Sequence, residues 1–357
     1  MISVTKPFLP PKEEYDKIIN EAWKRNWLTN NGPILNEFET KFKKQLSLKN
    51  FSFVSNGTIA LQLAIKALNL TGEILTTPFS FIATTSSILW ESCTPVFVDI
   101  NKKDFNIDPS KMGSLITEKT SGILVTHVYG NPCKINDIND VAEKYNLKVI
   151  YDAAHCFGTK YDGQSVLNYG DISIISFHAT KLFHTIEGGG VVANEEIIYE
   201  KIRSIRNFGF ERADSFSDIG INAKNSEFHA AMGVVNLDYS TEILARRKSQ
   251  YLRYQSNLLH ANCKFIKQNE EGTFNYAYCP IILSSEKVLL KLVEVLNNNY
   301  VYPRRYFYPS LNTVSYLKGG SCPISEDYAK RVLTLPLYHN LTERSIDFIC
   351  KIIINNI

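Results

Sequence analysis

The chain has 357 residues, 44% apolar and 21% charged, an ordinary globular composition long enough for two domains. Its net charge of +3, from 39 basic and 36 acidic side chains, gives no argument for nucleic acid, and no dense Lys/Arg block supplies a local footprint. The opening MISVTKPFLPPKEEY lacks an apolar leader-like run, no stretch has the length of a membrane span, and seven scattered cysteines form no CxxC pair. A soluble cytoplasmic protein with reduced thiols is expected.

From about residue 50, β-branched runs alternate with helical patterns. FSFV (51–54) leads through SNGT into IALQLAIKALNL, whose apolar residues fit a buried helix. EILTT (73–77), FIATTSSILWES and PVFVDI (95–100) follow. Next come GILVTHVYG (122–130), a helix near 135–146, LKVIYDAAH (147–155), ISIISF (172–177) and GVVAN (190–194). This alternation, with runs so apolar, predicts an α/β fold whose parallel sheet is covered on both faces. In such sheets ligands bind beyond the carboxyl ends of the strands, where SNGT, DAAH and SFHATK all fall. A long helical pattern from about 226 to 258 hands over to a different texture, with NNNYVYPRRYFYP, GGSCP and LTLPLYHN. We expect a large domain over residues 1–245, with the N-terminal segment packed on it, and a small α+β domain over 246–357.

The stretch SFHATKLFHTIEGGG (176–190) admits several chemistries. As a metal site it is poor: His178 and His184 are six apart with Glu187 three beyond, whereas helical ligand pairs sit three or four apart, and no second histidine cluster supports them. GxxxxGK[ST] and GxGxxG are absent, and EGGG precedes a strand, so its amides crown no helix. Gly188–Gly190 read as a tight turn with positive φ. A better phosphate candidate is Ser55, Asn56, Gly57 and Thr58, at a strand end and a helix start, although taken alone they read first as an ordinary helix cap.

Asp152 ends an apolar strand, where a buried carboxylate needs a cationic partner or serves as the cap of the next segment. A protonated pyridine nitrogen would satisfy it, as in enzymes that use pyridoxal 5'-phosphate. Lys181 follows a buried strand and could form an imine with that cofactor's aldehyde; alone it reads as a surface lysine. Phosphate turn, carboxylate and lysine occurring in chain order favour the cofactor reading.

With these residues in place the sequence resembles the DegT/StrS family of sugar-nucleotide aminotransferases, which share the fold type I aspartate-aminotransferase architecture. The blocks RNWLTNNGP, VSNGTIALQLAIKAL, TTPFSFIATTSSILWESCTPVFVDI, VTHVYGNPCKI, VIYDAAHCFGTKYDG and GDISIISFHATKLFHTIEGGGVVAN follow the family in order. IRNFGF, GINAKNSEFHAAMG, YPRRYFYPSL and VLTLPLYHNLTE extend it to the C-terminus. The resemblance implies that Lys181 is the imine lysine, that Asp152 partners the pyridine nitrogen, and that His155 lies by the ring near its phenolic oxygen. It implies that Phe81 stacks on the ring, and that Gly57, Thr58 and Ser176 hold the phosphate. Asn222 would reach the phosphate from a neighbouring subunit, which implies a homodimer. Without the resemblance, Phe81 reads as core and Ser176 as a turn cap.

The resemblance also suggests substrate contacts at Thr29 to Asn31, His178, Arg304, Arg305, Tyr306 and Tyr308. The arginine forks suit a pyrophosphate, while a tyrosine-rich packing segment is the plainer account. The sequence departs from the family pattern in one extra residue in WLTNNGP, in Lys224 where arginine is frequent, and in Tyr151 where an acidic residue is common. Family dehydratases replace the imine lysine with histidine; Lys181 is present, so the resemblance favours an aminotransferase. Its texture is most like enzymes that move the amino group of L-glutamate onto carbon 4 of dTDP-4-keto-6-deoxyglucose, for O-antigen or another surface polysaccharide. Amination at carbon 3, another nucleotide sugar, and a silent regulatory homologue are the alternatives.

Overall fold

The computed structural model describes residues 1–317 and 319–357. At its centre is a seven-stranded sheet: β1 Ser52–Val54, β2 Glu73–Thr76, β3 Thr94–Phe97, β4 Thr120–Thr126, β5 Lys148–Asp152, β6 Ile172–Ser176 and β7 Gly189–Ala193. Their order is β1-β7-β6-β5-β4-β2-β3, and every pair is parallel except those made by β7, which runs against both β1 and β6. The sheet is thus mostly parallel, as its apolar runs imply.

Alternate residues of each strand serve different layers, which explains why the runs are apolar throughout. Ile74, Leu124, Ile150, Ile172 and Ile174 pack with Ala60, Leu61, Ile88, Ile198 and Ile202 from the helices Gly57–Ala67, Ile82–Trp90 and Glu196–Ile205. Leu75, Ile123, Val125, Val149, Tyr151 and Ile175 face the opposite layer, with Ile34, Phe38, Ile138, Ala230 and Val234 from Pro33–Leu46, Ile135–Tyr145 and Glu227–Asp238. Phe38, Phe42, Phe51, Phe53, Phe177 and Phe183 form one connected aromatic cluster there.

A second core lies in the C-terminal part, where β8 Lys264–Phe265, β9 Cys279–Ile282 and β10 Val332–Leu335 pair antiparallel beneath Glu286–Asn298 and Glu343–Ile354. The division anticipated at 245/246 falls inside the continuous helix Ser240–Asn257, which carries the chain from one part to the other. The N-terminal segment touches both. Ile2–Ser3 pair in parallel with Val301–Tyr302 and Leu337 N donates to Val4 O, while Tyr15 Oη donates to Phe228 O.

Gly188–Gly190 do not adopt positive φ; in that segment Ile186 does, at 69°. Glycine is required here for close approach. A Cβ on Gly189 would collide with the Asn56 backbone, and one on Gly190 with the Phe51 ring. The glycines let β7 insert between β1 and β6 and bring Gly189 opposite both Val54 and Ser176.

Candidate active site

The carboxyl ends of β1, β4, β5 and β6 open onto one cavity of about 420 Å3. Into it the structure brings Gly57, Thr58, Phe81, Asp152, His155, Ser176, His178, Lys181 and Arg304 from five segments of the chain. Asn56 caps the helix Gly57–Ala67, its side chain accepting from Ile59 N at 2.8 Å. The remaining first-turn amides have no intrahelical partners and face the cavity mouth with the positive end of the helix dipole. A Cβ on Gly57 would stand 3.0 Å from Ser176 Cβ, so only glycine leaves the floor of this corner open.

Asp152 lies opposite that corner, 5% exposed. It accepts from Thr84 Oγ1 at 2.7 Å, Ala154 N at 3.1 Å and Thr126 Oγ1 at 3.4 Å. Ser80 bridges the two threonines at 2.8 Å each. No ion pair reaches Asp152 among the described residues. Burial therefore pushes its carboxyl above the usual carboxylate range, against the pull of Thr84, the Ala154 N–H and the charge of Lys181.

His155 is buried 5.8 Å from the Phe307 ring in a near-parallel stack, and its Nδ1 has no partner. Burial, and then the Lys181 charge, hold its imidazole well below its ordinary value, so it is neutral. Lys181 comes from the turn after β6, its backbone N–H donating to His178 O at 2.8 Å, and its Nζ donates to Tyr278 Oη at 3.4 Å. Phe81 precedes the helix Ile82–Trp90 and leaves 56% of its surface exposed at the cavity.

Other expected residues lie elsewhere. Thr29 is in an exposed turn whose carbonyl accepts from Trp27 Nε1 at 2.6 Å, and it does not line the cavity. Tyr308 is also outside, covered by the Arg305 guanidinium 3.4 Å above its ring. Arg305 turns away from the cavity to pair with Glu286 Oε1 at 2.6 Å and donate to Lys330 O. Arg304, Tyr306 and Phe307 are the members of that segment that face inward. Asn222 is exposed beside Asn207 and lies outside this chain's own cavity.

The histidines of the 176–190 stretch divide. His178 lines the cavity, its Nδ1 accepting from Thr180 N at 3.2 Å and its Nε2 lying 3.4 Å from Glu187 Oε1. His184 is buried with both ring nitrogens engaged by the backbone: Nδ1 accepts from Ile186 N, and Nε2 donates to Phe8 O. Sequence reasoning missed Thr84, Ser80 and Tyr278. Thr84 lies 68 residues from Asp152, Ser80 46 from Thr126 and Tyr278 97 from Lys181, and no spacing signals these contacts.

The arrangement suits a ligand with an anionic group at one end and a cationic aromatic nitrogen at the other. The amide-rich corner would take the anion, and the buried carboxylate lacks the cation that would balance it. The orphaned His155 Nδ1 supplies a further polar contact between them.

A family model described as DegT/DnrJ/EryC1/StrS aminotransferase matches residues 11–354. A dTDP-4-amino-4,6-dideoxy-D-glucose transaminase of Shigella dysenteriae is 40% identical over 359 residues, covering 99% of this chain and 98% of that protein. Its namesake in Escherichia coli is 37% identical, with 99% and 98% covered. The solved structure of DesI in the presence of its TDP-sugar product superposes with a TM-score of 0.94 at 30% identity, covering 98% of this chain and 91% of that one. The chain belongs to the DegT/DnrJ/EryC1/StrS aminotransferase family.

Proposed function

We propose that the protein uses pyridoxal 5'-phosphate to move the amino group of L-glutamate onto the keto carbon of a dTDP-linked keto-deoxysugar. The favoured substrate is dTDP-4-dehydro-6-deoxy-D-glucose, and the product is dTDP-4-amino-4,6-dideoxy-D-glucose for O-antigen or another surface polysaccharide. The observation that carries the chemistry is the cavity in which buried, cation-free Asp152 and Lys181 share space with the open start of the helix Gly57–Ala67. The full-length likeness to two transaminases of that name supports the substrate.

When bound, the cofactor supplies an aldehyde to carry nitrogen and a protonated ring to draw electrons from the reacting carbon. Gly57, Thr58 and Ser176 would hold its phosphate at the helix start, and Asp152 would keep the proton on its ring nitrogen. Phe81 and His155 would flank the ring, using a flat apolar face and a neutral imidazole. The Lys181 amine would hold the cofactor at rest and, once freed by the incoming amino acid, shuttle the proton at the reacting carbon. Arg304 and His178, at the inner wall, would meet the anionic parts of substrate.

The working form in this reading is a cytoplasmic homodimer. Exposed Trp27 and Trp90 leave apolar surface for a second copy to cover. Asn222, outside its own cavity, would reach the phosphate of the neighbouring subunit.

The test is incubation of purified protein with pyridoxal phosphate, glutamate and the 4-keto sugar nucleotide, followed by mass and NMR analysis. An amine on carbon 4 supports the reading. An amine on carbon 3, or only on another sugar nucleotide, replaces the substrate; no amino sugar from any ketosugar points to a silent homologue.

A further inference from the structure

Tyr278 stands at the cavity wall directly before β9, and its hydroxyl is the one side-chain partner of Lys181 Nζ among the described residues. Its ring is held on three sides: His155 at 4.8 Å, Tyr129 at 5.8 Å and Tyr306 at 5.8 Å between centroids. The three contacts are tilted or edge-on, which fixes the ring plane and with it the direction of the hydroxyl.

The backbone beneath Tyr278 is anchored with unusual polar investment. Asn275, 3% exposed, donates to His155 O at 2.7 Å and Phe157 O at 3.0 Å and accepts from Ala277 N at 3.1 Å. This ties the Tyr278 segment to the segment that carries His155. Arg247, also 3% exposed, has no carboxylate partner among the described residues and donates through Nη1 to Ala277 O at 3.0 Å. A buried guanidinium left without a counter-ion is costly. Here its hydrogen bond grips the peptide next to Tyr278.

We propose that Tyr278 is a positioning residue for Lys181, its hydroxyl holding the amine beside the cavity so that the nitrogen approaches the cofactor aldehyde from one side and returns there when displaced. The proposal rests on the reading of Lys181 as the cofactor lysine. A phenol suits this role because it accepts an N–H from the amine and retains an O–H of its own to donate. Phenylalanine at 278 keeps the ring cage and removes the hydroxyl alone.

The test compares the cofactor-free wild type, Tyr278→Phe and Lys181→Ala. Each is mixed with pyridoxal phosphate, and the rate of the visible band is followed, with borohydride reduction and peptide mass locating the adduct. Affinity for pyridoxamine phosphate, which lacks the aldehyde and needs no lysine, is measured in parallel. The proposal predicts that Tyr278→Phe captures pyridoxal phosphate up to about tenfold more slowly, the scale of one hydrogen bond, with unchanged pyridoxamine phosphate affinity. Unchanged capture overturns it, and so does an equal loss with both compounds, which would mark a structural role only. An adduct that persists in Lys181→Ala overturns the reading of Lys181 itself, an outcome read from a different variant.

Discussion

Thr84 Oγ1 donates to Asp152 Oδ2 across 2.7 Å and ties the helix Ile82–Trp90 to the end of β5. With Ser80 and Thr126 it makes a hydroxyl network that presents the carboxylate to the cavity without neutralising it. Burial raises the folded-state value of Asp152 above its unfolded value of about 3.9. The cofactor-free fold therefore binds this proton more tightly than the unfolded chain, and the stability it lends is lost as pH rises through the raised value.

Asp152→Asn should accordingly be more stable than wild type, without cofactor, at about pH 8. The gain should shrink towards pH 4, and the rise in melting temperature on adding pyridoxal phosphate should disappear. Thermal melts at the two pH values, with and without cofactor, check this. A variant still stabilised by cofactor like the wild type would contradict the role given to Asp152.

Gly57→Ala places a methyl 3.0 Å from Ser176 Cβ and 3.3 Å from its Oγ. Alanine is a good residue for a helix start, so folding should survive. Affinity for pyridoxal phosphate should fall about tenfold or more, a cost of about 1.4 kcal/mol. An absorbance titration measures it, and unchanged affinity would move the phosphate away from this corner.

His127 is fully buried against Tyr151, with ring centroids 4.7 Å apart, and its Nδ1 accepts from Cys133 N at 2.9 Å. Burial lowers its pKa to about 3. Since the unfolded histidine titrates near 6.5, stability is complete above that value and falls as pH drops towards about 3. At pH 5 this single site should cost roughly 2 kcal/mol relative to pH 7. His127→Asn should flatten the dependence of urea midpoint on pH between 7 and 5; an unaltered slope would show that other groups govern it.

Arg206 Nη1 and Glu39 Oε1 pair at 2.7 Å, 4% and 12% exposed, and both also bond the Phe53 backbone within β1. Removing one member leaves the other charged and buried. Arg206→Leu should cost about 3–5 kcal/mol, and the double replacement Arg206→Leu with Glu39→Leu less than the sum of its parts. Denaturant melts of the two single variants and the double one decide this, and strict additivity would contradict it.

The strands and their carboxyl ends were legible because parallel strands covered on both faces must be apolar at every position. Residues proposed to act at strand ends, such as Asp152, Ser176 and Lys181, inherit their place from that rule. What was not legible comes from contacts the chain makes across long separations. Thr84 meets Asp152 at a separation of 68 residues, and Tyr278 meets Lys181 at 97. The two arginines of YPRRY looked alike in sequence, yet an ion pair with Glu286 removes Arg305 and leaves Arg304 inside. The glycines of EGGG were read as a turn, whereas it is the nearness of Asn56 and Phe51 that demands them.

The most direct test of the central claim follows the nitrogen itself. Protein loaded with pyridoxal phosphate is given 15N-glutamate and dTDP-4-dehydro-6-deoxy-D-glucose, and the sugar nucleotide is examined by 15N-edited NMR. The account predicts 15N bonded to carbon 4 in wild type and none in Lys181→Ala. The wild type leaving all of its 15N in glutamate, with this and every other ketosugar nucleotide tried, would contradict it.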